Sequence, residues 1–361
     1  MSVIRRKVIV IGGGAAGIAA AIEAAKNAEV TVLEHMETPL KKILITGNGR
    51  CNFTNSDVSA AHYHGDVNVI ESVLSSFSVD DCLDLMRECY VEPLEVHYRY
   101  NDCGYFYPSS NKAETVRNGM LSRFSELGGK ILCGVNVQAV SMGQEGILVR
   151  SDKGDFAADR LIFACGSNAA PETGSDSSIY PVLKKLDVAF HTFLPALCGI
   201  KVSDGLSGAL TGMRCTAAVT LIDQTEEKEY SAEPGEVQFG NGYVSGIPVM
   251  QLSRYVSIGR KKEHRMILRI VPSAWENVRK DAKVFPASLE LLCTGTRGFS
   301  HAQCCLGGVD TGELVPETLC WKRNENIYFC GEMIDVDGDC GGFNLHFAFG
   351  SGKLAGRKAT T

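Results

Sequence analysis

The sequence contains no CxxC pair and no apolar run approaching the ~18 residues of a membrane-spanning helix. The missing CxxC pair argues against a dithiol–disulfide reductase. There is no long basic stretch either. The 36 Lys and Arg residues are outnumbered by 42 Asp and Glu residues, so the formal net charge is −6. We therefore expect neither nucleic acid nor an anionic membrane as a partner.

The composition is that of an ordinary globular protein, with 361 residues, 45% of them hydrophobic and 22% charged. The 14 cysteines are scattered, and many lie in apolar runs such as FACGS and YFCGE. We interpret them as reduced core thiols of a cytoplasmic protein. A zinc site of His301, Cys304 and Cys305 is disfavoured, because neighbouring cysteines do not easily face one metal. We therefore expect no metal. We also expect no signal peptide, because glycines interrupt the first apolar stretch.

The strongest motif lies in residues 7–34, KVIVIGGGAAGIAAAIEAAKNAEVTVLE. The β-branched run at 8–11 predicts a strand that is buried on both faces. A GxGxxG motif follows at once, then an alanine-rich helical stretch. A second predicted strand ends at Glu34. A glycine motif between two strands, with an acid at the end of the second, predicts a dinucleotide-binding unit.

Each part of this unit has a physical role. Gly12 permits a tight turn from strand to helix, and Gly17 allows the helix to pack close to the strand. Gly14 lacks a Cβ, so a pyrophosphate can approach the backbone at the positive end of the helix dipole. Glu34 is placed to accept hydrogen bonds from ribose hydroxyls. The motif alone does not distinguish FAD from NAD.

The rest of the chain predicts one nucleotide-binding fold that is interrupted by an insertion. Strand-like alternation between turns prevails from residue 191 to residue 305, and the segments 326–330 and 345–358 return to a strand and a helix. We assign 1–190 and 306–361 to the nucleotide-binding domain and 191–305 to an inserted β-rich domain. A basic, glycine-rich loop at 39–55 suits phosphate or flavin contact, with a solvated surface loop as the alternative.

Four separated stretches carry a family resemblance. They are GGGAAG at 12–17, ITGNGRCNFTN at 45–55, FACGS at 163–167 and YFCGEMIDVDGDCGGFNLHFAFGSGKLAG at 328–356. Together they resemble the FAD-dependent oxidoreductases that include aminoacetone oxidase-like proteins and BaiN-like bile-acid dehydro-intermediate reductases. The resemblance covers nearly the whole chain.

This resemblance implies an α/β fold: a Rossmann-like FAD-binding domain split by an inserted β-rich, barrel-like domain. The helical part of that insertion looks reduced here, within about 254–293, and a little helix is predicted at 272–293. The implied cofactor is FAD and the implied substrate a small organic molecule, an enone-type dehydro intermediate or an amine. NADH or NADPH is one source of electrons for the flavin, acting as a transient reductant. The alternative is hydride transfer from the substrate and reoxidation by oxygen.

The resemblance also implies where FAD is held. The first glycine loop and Glu34 should bind the ADP half, with Gly331 and Glu332 beside the ribityl–pyrophosphate region. The turn at 341–344 and the loop at 50–52 should approach the isoalloxazine ring. The full set of expected cofactor-binding residues is Gly12, Gly13, Gly14, Ala15, Ala16, Gly17, Glu34, Lys42, Gly49, Arg50, Cys51, Asn52, Val137, Ala164, Cys165, Gly166, Gly331, Glu332, Asp335, Gly341, Gly342, Asn344 and Ala348.

No residue stands out as a catalytic acid. The candidates with some support are Cys51, Tyr243 and His346, and a histidine at the last position could equally be a packing residue. An FAD-dependent oxidoreductase that transfers hydride at flavin N5 is the favoured function. A flavin-binding sensor or assembly protein without turnover is the alternative. An RNA-modifying flavoprotein is disfavoured by the acidic charge balance.

Overall fold

The computed structural model describes residues 5–98, 101–143, 146–203, 210–276 and 286–361, without the side chains of residues 101, 102 and 276. The chain forms two compact units. The first contains Met1–Ser167, Glu172–Thr192 and Gly307–Thr361, and the second contains Asn168–Pro171 and Phe193–Leu306. Each unit has its own hydrophobic core.

The α-helices of the described residues vary from 6 to 16 residues in length. In chain order they are α1 (Ala15–Ala25), α2 (Val67–Ser76), α3 (Val79–Glu88), α4 (Ala113–Glu126), α5 (Tyr180–Lys185), α6 (Ile247–Lys261) and α7 (Phe343–Lys358). Shorter 3-10 segments include Lys42–Gly49 and Gly331–Met333. None of the helices in the described ranges is long and apolar enough to cross a membrane.

The described residues also form short and long strands, numbered in chain order. They are β1 (Lys7–Ile11), β2 (Glu29–Glu34), β3 (Thr54–Asn55), β4 (Tyr63–Gly65), β5 (Pro93–Tyr98), β6 (Asn101–Pro108), β7 (Lys130–Cys133), β8 (Val137–Gly143), β9 (Gly146–Ser151), β10 (Gly154–Ala158), β11 (Arg160–Phe163), β12 (Phe190–Ala196), β13 (Ile200–Val202), β14 (Arg214–Asp223), β15 (Lys228–Gly240), β16 (Tyr243–Ser245), β17 (Met266–Glu276), β18 (Leu289–Thr296), β19 (Cys304–Val309), β20 (Leu314–Val315), β21 (Cys320–Trp321), β22 (Asn324–Phe329) and β23 (Val336–Gly338).

The first unit is built on a seven-stranded sheet in the order β20-β21-β22-β11-β1-β2-β7. Strands β22, β11, β1, β2 and β7 run parallel, as the buried β-branched sequences of β1 and β2 predict. Helix α1 packs against α7 in the core beside this sheet. The approach is close because Gly352 and Gly356 of α7 face the backbone of Ala16 and Ala20, where a Cβ would collide. The start of α1, just after the carboxyl end of β1, therefore lies against the middle of α7.

The second unit is a closed six-stranded barrel in the order β13-β16-β15-β14-β17-β18. Alternating residues of its long strands point inward, as the burial of Cys215, Ala217, Val219 and Leu221 on β14 illustrates. Helix α6 contributes buried apolar side chains to the same core. The α/β Rossmann-like fold with an inserted barrel, as implied by the sequence, is confirmed.

The helical part of the insertion differs from the sequence-based expectation. Helix α6 begins at Ile247 and ends at Lys261, so it starts before the predicted helical region and covers little of it. The described ends of the predicted helix at 272–293 belong to β17 and β18. Residues 277–285 lie outside the described residues. At the start of this region β17 continues past Pro272 to Glu276, so a strand takes the place of the predicted helix there.

Candidate functional site

The first glycine loop leaves β1 in a conformation that glycine alone adopts easily. Gly12 has φ +103°, and a Cβ there would collide with the carbonyl oxygen of Ala164. A Cβ on Gly17 would collide with the carbonyl oxygen of Gly12. A Cβ on Gly14, by contrast, would meet no protein atom within 4 Å. Gly12 and Gly17 are thus required for close packing, whereas Gly14 borders open space.

Helix α1 begins beside that open space with an uncapped end. Gly14 is its N-cap residue, and no side chain hydrogen-bonds the first-turn N–H groups. The first N–H groups of a helix have no partner within the helix and carry the positive end of its dipole. An anionic group such as a pyrophosphate fits such a position.

Glu34 is buried at the end of β2, and its carboxylate already holds two backbone groups. Oε2 accepts a hydrogen bond from the Gly13 N–H at 2.6 Å, and Oε1 accepts from the Met36 N–H at 2.7 Å. His35 Nδ1 lies 3.1 Å from Oε1, and this hydrogen bond raises the pKa of His35 despite its partial burial. Oε2 accepts only one of these bonds, so its second lone pair is still available to a ribose hydroxyl. Glu34 also orders the glycine loop.

The segment at residues 331–332 reaches the start of α1 from the other end of the chain. Gly331 has φ +76°, and a Cβ there would lie 2.5 Å from the Cβ of Ala16. Glu332 pairs through Oε2 with Lys42 Nζ at 3.0 Å. Its Oε1 is buried, and among the described residues it has no hydrogen-bond partner. A ligand donor satisfies this oxygen at low cost.

A second glycine turn precedes α7. Gly341 and Gly342 have φ +136° and +99°, and no side chain caps the helix that starts after them. Asn55 Nδ2 donates to the Gly341 carbonyl oxygen at 3.0 Å. A Cβ on Gly342 would lie 3.0 Å from Asn52 Oδ1, an atom that is buried and lacks a partner in the described part of the chain. The loop at 47–55 therefore packs against this turn.

These features fit FAD. Two uncapped helix N-termini, both in the first unit, offer N–H groups to anionic or electron-rich atoms. The space at Gly14 is free of side chains, and the buried Asn52 and Glu332 oxygens lack donors among the described residues. A flavin dinucleotide carries a pyrophosphate for the first helix and N–H and O–H donors for such oxygens.

Two expected cofactor-binding side chains are engaged elsewhere. The Asn344 amide donates to the Gly338 carbonyl oxygen at 2.8 Å and accepts from the Gly338 N–H at 2.9 Å. Asp335 accepts from the Gly307 N–H at 2.8 Å and pairs with His191 Nδ1 at 2.7 Å. Both side chains therefore brace the chain around the second glycine turn.

Arg50 is also held by protein groups. Its Nε donates to Asn111 Oδ1, its Nη1 donates to the Tyr98 hydroxyl at 3.1 Å, and its guanidinium lies 4.1 Å from the centre of the Tyr107 ring. The Tyr98 and Tyr107 hydroxyls are 3.2 Å apart. Burial, followed by this hydrogen bond, raises the pKa of Tyr107, so the ring stays a neutral phenol.

Three of the remaining expected residues follow β11 at its carboxyl end. Ala164 is buried after β11, the thiol of Cys165 donates to the Ile11 carbonyl oxygen at 3.2 Å, and Gly166 has φ +71°. The others are Gly13, Ala15 and Ala16 at the start of α1, Gly49 in the 47–55 loop, Val137 at the start of β8 and Ala348 on α7.

The three catalytic candidates have different surroundings. Cys51 is fully buried, and burial raises the pKa of its thiol to about 12. Tyr243 belongs to the second unit, where Arg297 lies 4.1 Å from the centre of its ring. His346 is fully buried in the first unit. Cys51 and His346 are therefore too deeply buried to act as exposed proton donors in acid catalysis.

His346 is a neutral packing residue in this geometry. Its Nε2 lies 3.1 Å from the Phe77 carbonyl oxygen, which can only accept, so Nε2 carries the proton. Nδ1 then accepts from the Thr54 hydroxyl at 2.7 Å. Burial lowers the pKa of His346 to about 4. Of the two sequence-based interpretations, the geometry favours packing.

One cluster escaped the sequence analysis. His62 contacts Asp57 Oδ2 at 3.0 Å and Asp339 Oδ2 at 3.2 Å, and His64 Nε2 lies 3.4 Å from Asp339 Oδ1. The His62 ring stacks on Phe343, the first residue of α7, with centroids 4.3 Å apart. The available signal was the His-x-His spacing, although His62 ends a 3-10 segment and only His64 belongs to β4. No group of three or more metal-ligand residues in the described ranges is arranged to hold a metal.

Comparisons with known proteins agree with this architecture. The chain is 32% identical to the 3-dehydro-bile acid delta(4,6)-reductase of Clostridium scindens over 97% of this chain and 98% of that protein. The 3-ketosteroid-delta4-(5alpha)-dehydrogenase from Rhodococcus jostii RHA1 shares the fold, with a TM-score of 0.51, 16% identity and coverage of 100% and 98% of the two chains. The class is thereby defined: the protein is a flavoprotein oxidoreductase. The alternative of a flavin protein without turnover loses its support.

The family is narrower than this class. The family model described as HI0933-like protein Rossmann domain matches residues 6–358, and the chain belongs to this family. Another relative is the ribosomal RNA dihydrouridine synthase of Haemophilus influenzae, at 25% identity over 95% of this chain and 96% of that protein. A relative that acts on RNA reopens the question of a nucleic-acid partner, which the charge balance had disfavoured.

Proposed function

We propose that the protein binds FAD in its first unit and reduces a carbon–carbon double bond that is conjugated with a carbonyl group. The substrate is a small cyclic molecule. The observation that carries this proposal is the pair of glycine turns, each opening into an uncapped helix, with unpartnered buried oxygens beside them among the described residues. The 32% identical reductase supports the reaction class.

The names of the relatives describe the same chemistry on different molecules. A 3-dehydro-bile acid with double bonds at delta(4,6) carries a ketone in conjugation with carbon–carbon double bonds. Dihydrouridine is uridine saturated at the double bond next to a ring carbonyl. In both reductions a hydride joins the β carbon, the π electrons move toward the carbonyl oxygen, and a proton joins the α carbon. An enzyme for this reaction needs a hydride donor and a group that stabilises the oxygen.

In this proposal, different residues of the first unit bind different parts of FAD. The Gly12–Gly17 loop binds the pyrophosphate and Glu34 the adenosine ribose. Lys42 and Glu332 bind between the phosphates and the flavin. The turn at 341–342 approaches the ring, and the N-terminus of α7 favours negative charge at its N1–C2 region. When bound, FAD supplies the hydride at N5.

NADH or NADPH reduces the flavin transiently in this proposal, without a second dinucleotide-binding unit. An oxidase that takes hydride from its substrate and passes the electrons to oxygen is the rival version. We further propose a cytoplasmic location, in keeping with the reduced thiols expected from the sequence.

Reduction of a base in ribosomal RNA is the second candidate. The two relatives of that name, 25% and 22% identical, each align with 95% of this chain. The net charge of −6 disfavours it, because RNA binding draws most of its affinity from neutralised phosphates. A small substrate is therefore the preferred assignment.

The test begins with the absorbance spectrum of the purified protein and identification of the flavin that it releases on denaturation. Anaerobic titration with NADH and NADPH follows, and then addition of a bile acid with a conjugated ketone. A bile acid with an isolated double bond is the matched control, and unmodified ribosomal RNA is a separate arm. We expect FAD and reoxidation by the conjugated compound alone. Release of FMN, or reoxidation only by RNA, contradicts the proposal.

A further inference from the structure

The Arg50 guanidinium is oriented by three uncharged groups: an amide oxygen, a phenol hydroxyl and the face of a phenol ring. Within the described ranges no Asp or Glu lies within ion-pairing distance of it. Arginines elsewhere, such as Arg323 and Arg269, pair with carboxylates. Among the described residues its charge therefore has no carboxylate partner, and three contacts fix its orientation, as expected of a group that binds an anionic oxygen.

Its position in the chain connects this charge to the candidate flavin site. Asn52, two residues further on, has its buried Oδ1 beside Gly342. A Cβ on Gly47 would lie 2.9 Å from the Asn52 backbone N and 3.5 Å from the Tyr107 ring. The same loop thus contacts both the second glycine turn and the ring on which Arg50 stacks.

We propose that Arg50 binds the carbonyl oxygen of the substrate and stabilises the negative charge that develops there during reduction. The inference rests on the proposed function. Hydride addition at the β carbon converts the conjugated carbonyl into an enolate, whose oxygen takes the electron pair from the double bond. A proton from water then joins the α carbon and the carbonyl re-forms. Atoms and charges balance with one hydride and one proton.

The tyrosines complete the arrangement. Tyr107 is buried and Tyr98 is 44% exposed, so their paired hydroxyls run from the interior toward water. Both phenols hold Arg50 without neutralising it, which preserves its charge for the ligand. Two electron-rich groups could bind the Arg50 guanidinium: an oxygen of the substrate, or the N1–C2 region of the reduced flavin. We assign Arg50 to the substrate, and the experiment separates the two.

The probe is para-chlorophenol, whose phenolate is a planar mimic of an enolate, added to the oxidised holoprotein. We expect the phenolate to bind about tenfold or more tightly than the neutral phenol, which corresponds to a pKa of the bound phenol lowered by at least about one unit. A long-wavelength charge-transfer absorbance should accompany binding. Affinity should therefore rise with pH until the free phenol ionises. No turnover is required for this measurement.

Arg50→Gln should abolish the preference for phenolate while retaining FAD, and Arg50→Lys should restore part of it. Arg297→Gln is the matched control, because Arg297 also stacks on a tyrosine at 4.1 Å but belongs to the second unit. Loss of the preference in Arg297→Gln alone overturns the assignment. Loss of FAD from folded Arg50→Gln assigns the residue to the cofactor and overturns it as well.

Failure of the proposed function has a different signature. In that case the wild-type protein releases no FAD or leaves conjugated ketones unreduced, whatever Arg50 binds. Phenol binding is then followed by calorimetry on the same protein. Equal affinity for phenol and phenolate in the wild type rules out the oxyanion site by itself.

Discussion

The two glycine turns of the first unit are built differently. The first turn is held by the backbone, because Gly12 and Gly17 approach carbonyl oxygens too closely to carry a Cβ. The second turn, at 338–342, is held by side chains from distant segments, including Asn55 and Tyr63, whose hydroxyl donates to the Phe343 carbonyl oxygen at 2.9 Å. Close backbone contacts constrain both turns, since a Cβ on Gly342 would lie 2.7 Å from the Thr54 carbonyl oxygen, but the second turn depends in addition on these side-chain hydrogen bonds.

The difference predicts how each turn responds to mutation. Changes at the first turn should act in an all-or-none manner, since backbone atoms cannot move aside. Changes around the second turn should act gradually, because each side-chain contact contributes a part.

The largest effect is expected for Gly17→Ala. The added Cβ collides with the Gly12 carbonyl oxygen, so either α1 or β1 must shift. We expect a loss of about 3 kcal/mol or more in the free energy of unfolding. Urea unfolding of the flavin-free protein measures it, with Gly14→Ala as the control that should unfold like the wild type. Equal stability of both variants would show that the two glycines do not differ in packing.

Gly14→Val should keep the fold but lose the cofactor. Gly14 has φ −79° and ψ −171°, which valine also adopts, and no protein atom obstructs its Cβ. The branched side chain takes the space that the pyrophosphate needs, so we expect FAD affinity to fall by about 100-fold, or about 2.7 kcal/mol. Fluorescence titration of the apoprotein with FAD measures this. A folded variant with a full flavin complement would place the phosphates elsewhere.

His346, on the helix after the second turn, should make stability depend on pH. Burial lowers its pKa from 6.5 to about 4, so between these values the unfolded chain binds a proton that the folded protein does not. The contribution is fully present above pH 6.5 and is lost as the pH falls toward 4, to a total of about 3 kcal/mol. Urea unfolding across this range measures it. His346→Gln keeps a donor and an acceptor, and its stability should fall less steeply with decreasing pH.

Glu34 should affect binding more than turnover. Glu34→Ala removes the acceptor for the ribose and releases the Gly13 N–H, so FAD affinity should fall by about 1.5–3 kcal/mol. Glu34→Gln keeps one acceptor oxygen and should lose less. Turnover measured at saturating FAD should recover toward the wild-type rate in both variants. If added FAD did not restore the turnover rate, Glu34 would have a role other than binding the ribose and ordering the glycine loop.

The smallest effect is expected at the second turn. His62→Phe keeps an aromatic ring to stack on Phe343 but removes the contacts with Asp57 and Asp339. These side chains are partly exposed, so we expect FAD affinity to fall by only about 0.5–1 kcal/mol. His97→Phe, at another exposed histidine beside a carboxylate, is the control. A complete loss of FAD from folded His62→Phe would make the second turn as rigid as the first.

The contrast between the turns also explains what could be read from the sequence. The strand, glycine loop and helix at 7–34 lie within 28 consecutive positions, and steric rules for glycine apply to them directly. The sequence therefore determined this unit and the return of the fold after the insertion. The extent of α6 and β17 was misjudged, because tertiary packing overrides short-range patterns.

Only the tertiary structure decided which side chains are available for chemistry. His62 meets Asp339 across 277 positions, and His346 meets Thr54 across 292. Arg50 gains its orientation from Tyr98 and Asn111, 48 and 61 positions away. Whether a histidine is a packing residue or an arginine keeps its charge depends on such distant partners and on burial. The local sequence predicts neither the distant partners nor the burial of a side chain, because desolvation and hydrogen bonding act through space rather than along the chain.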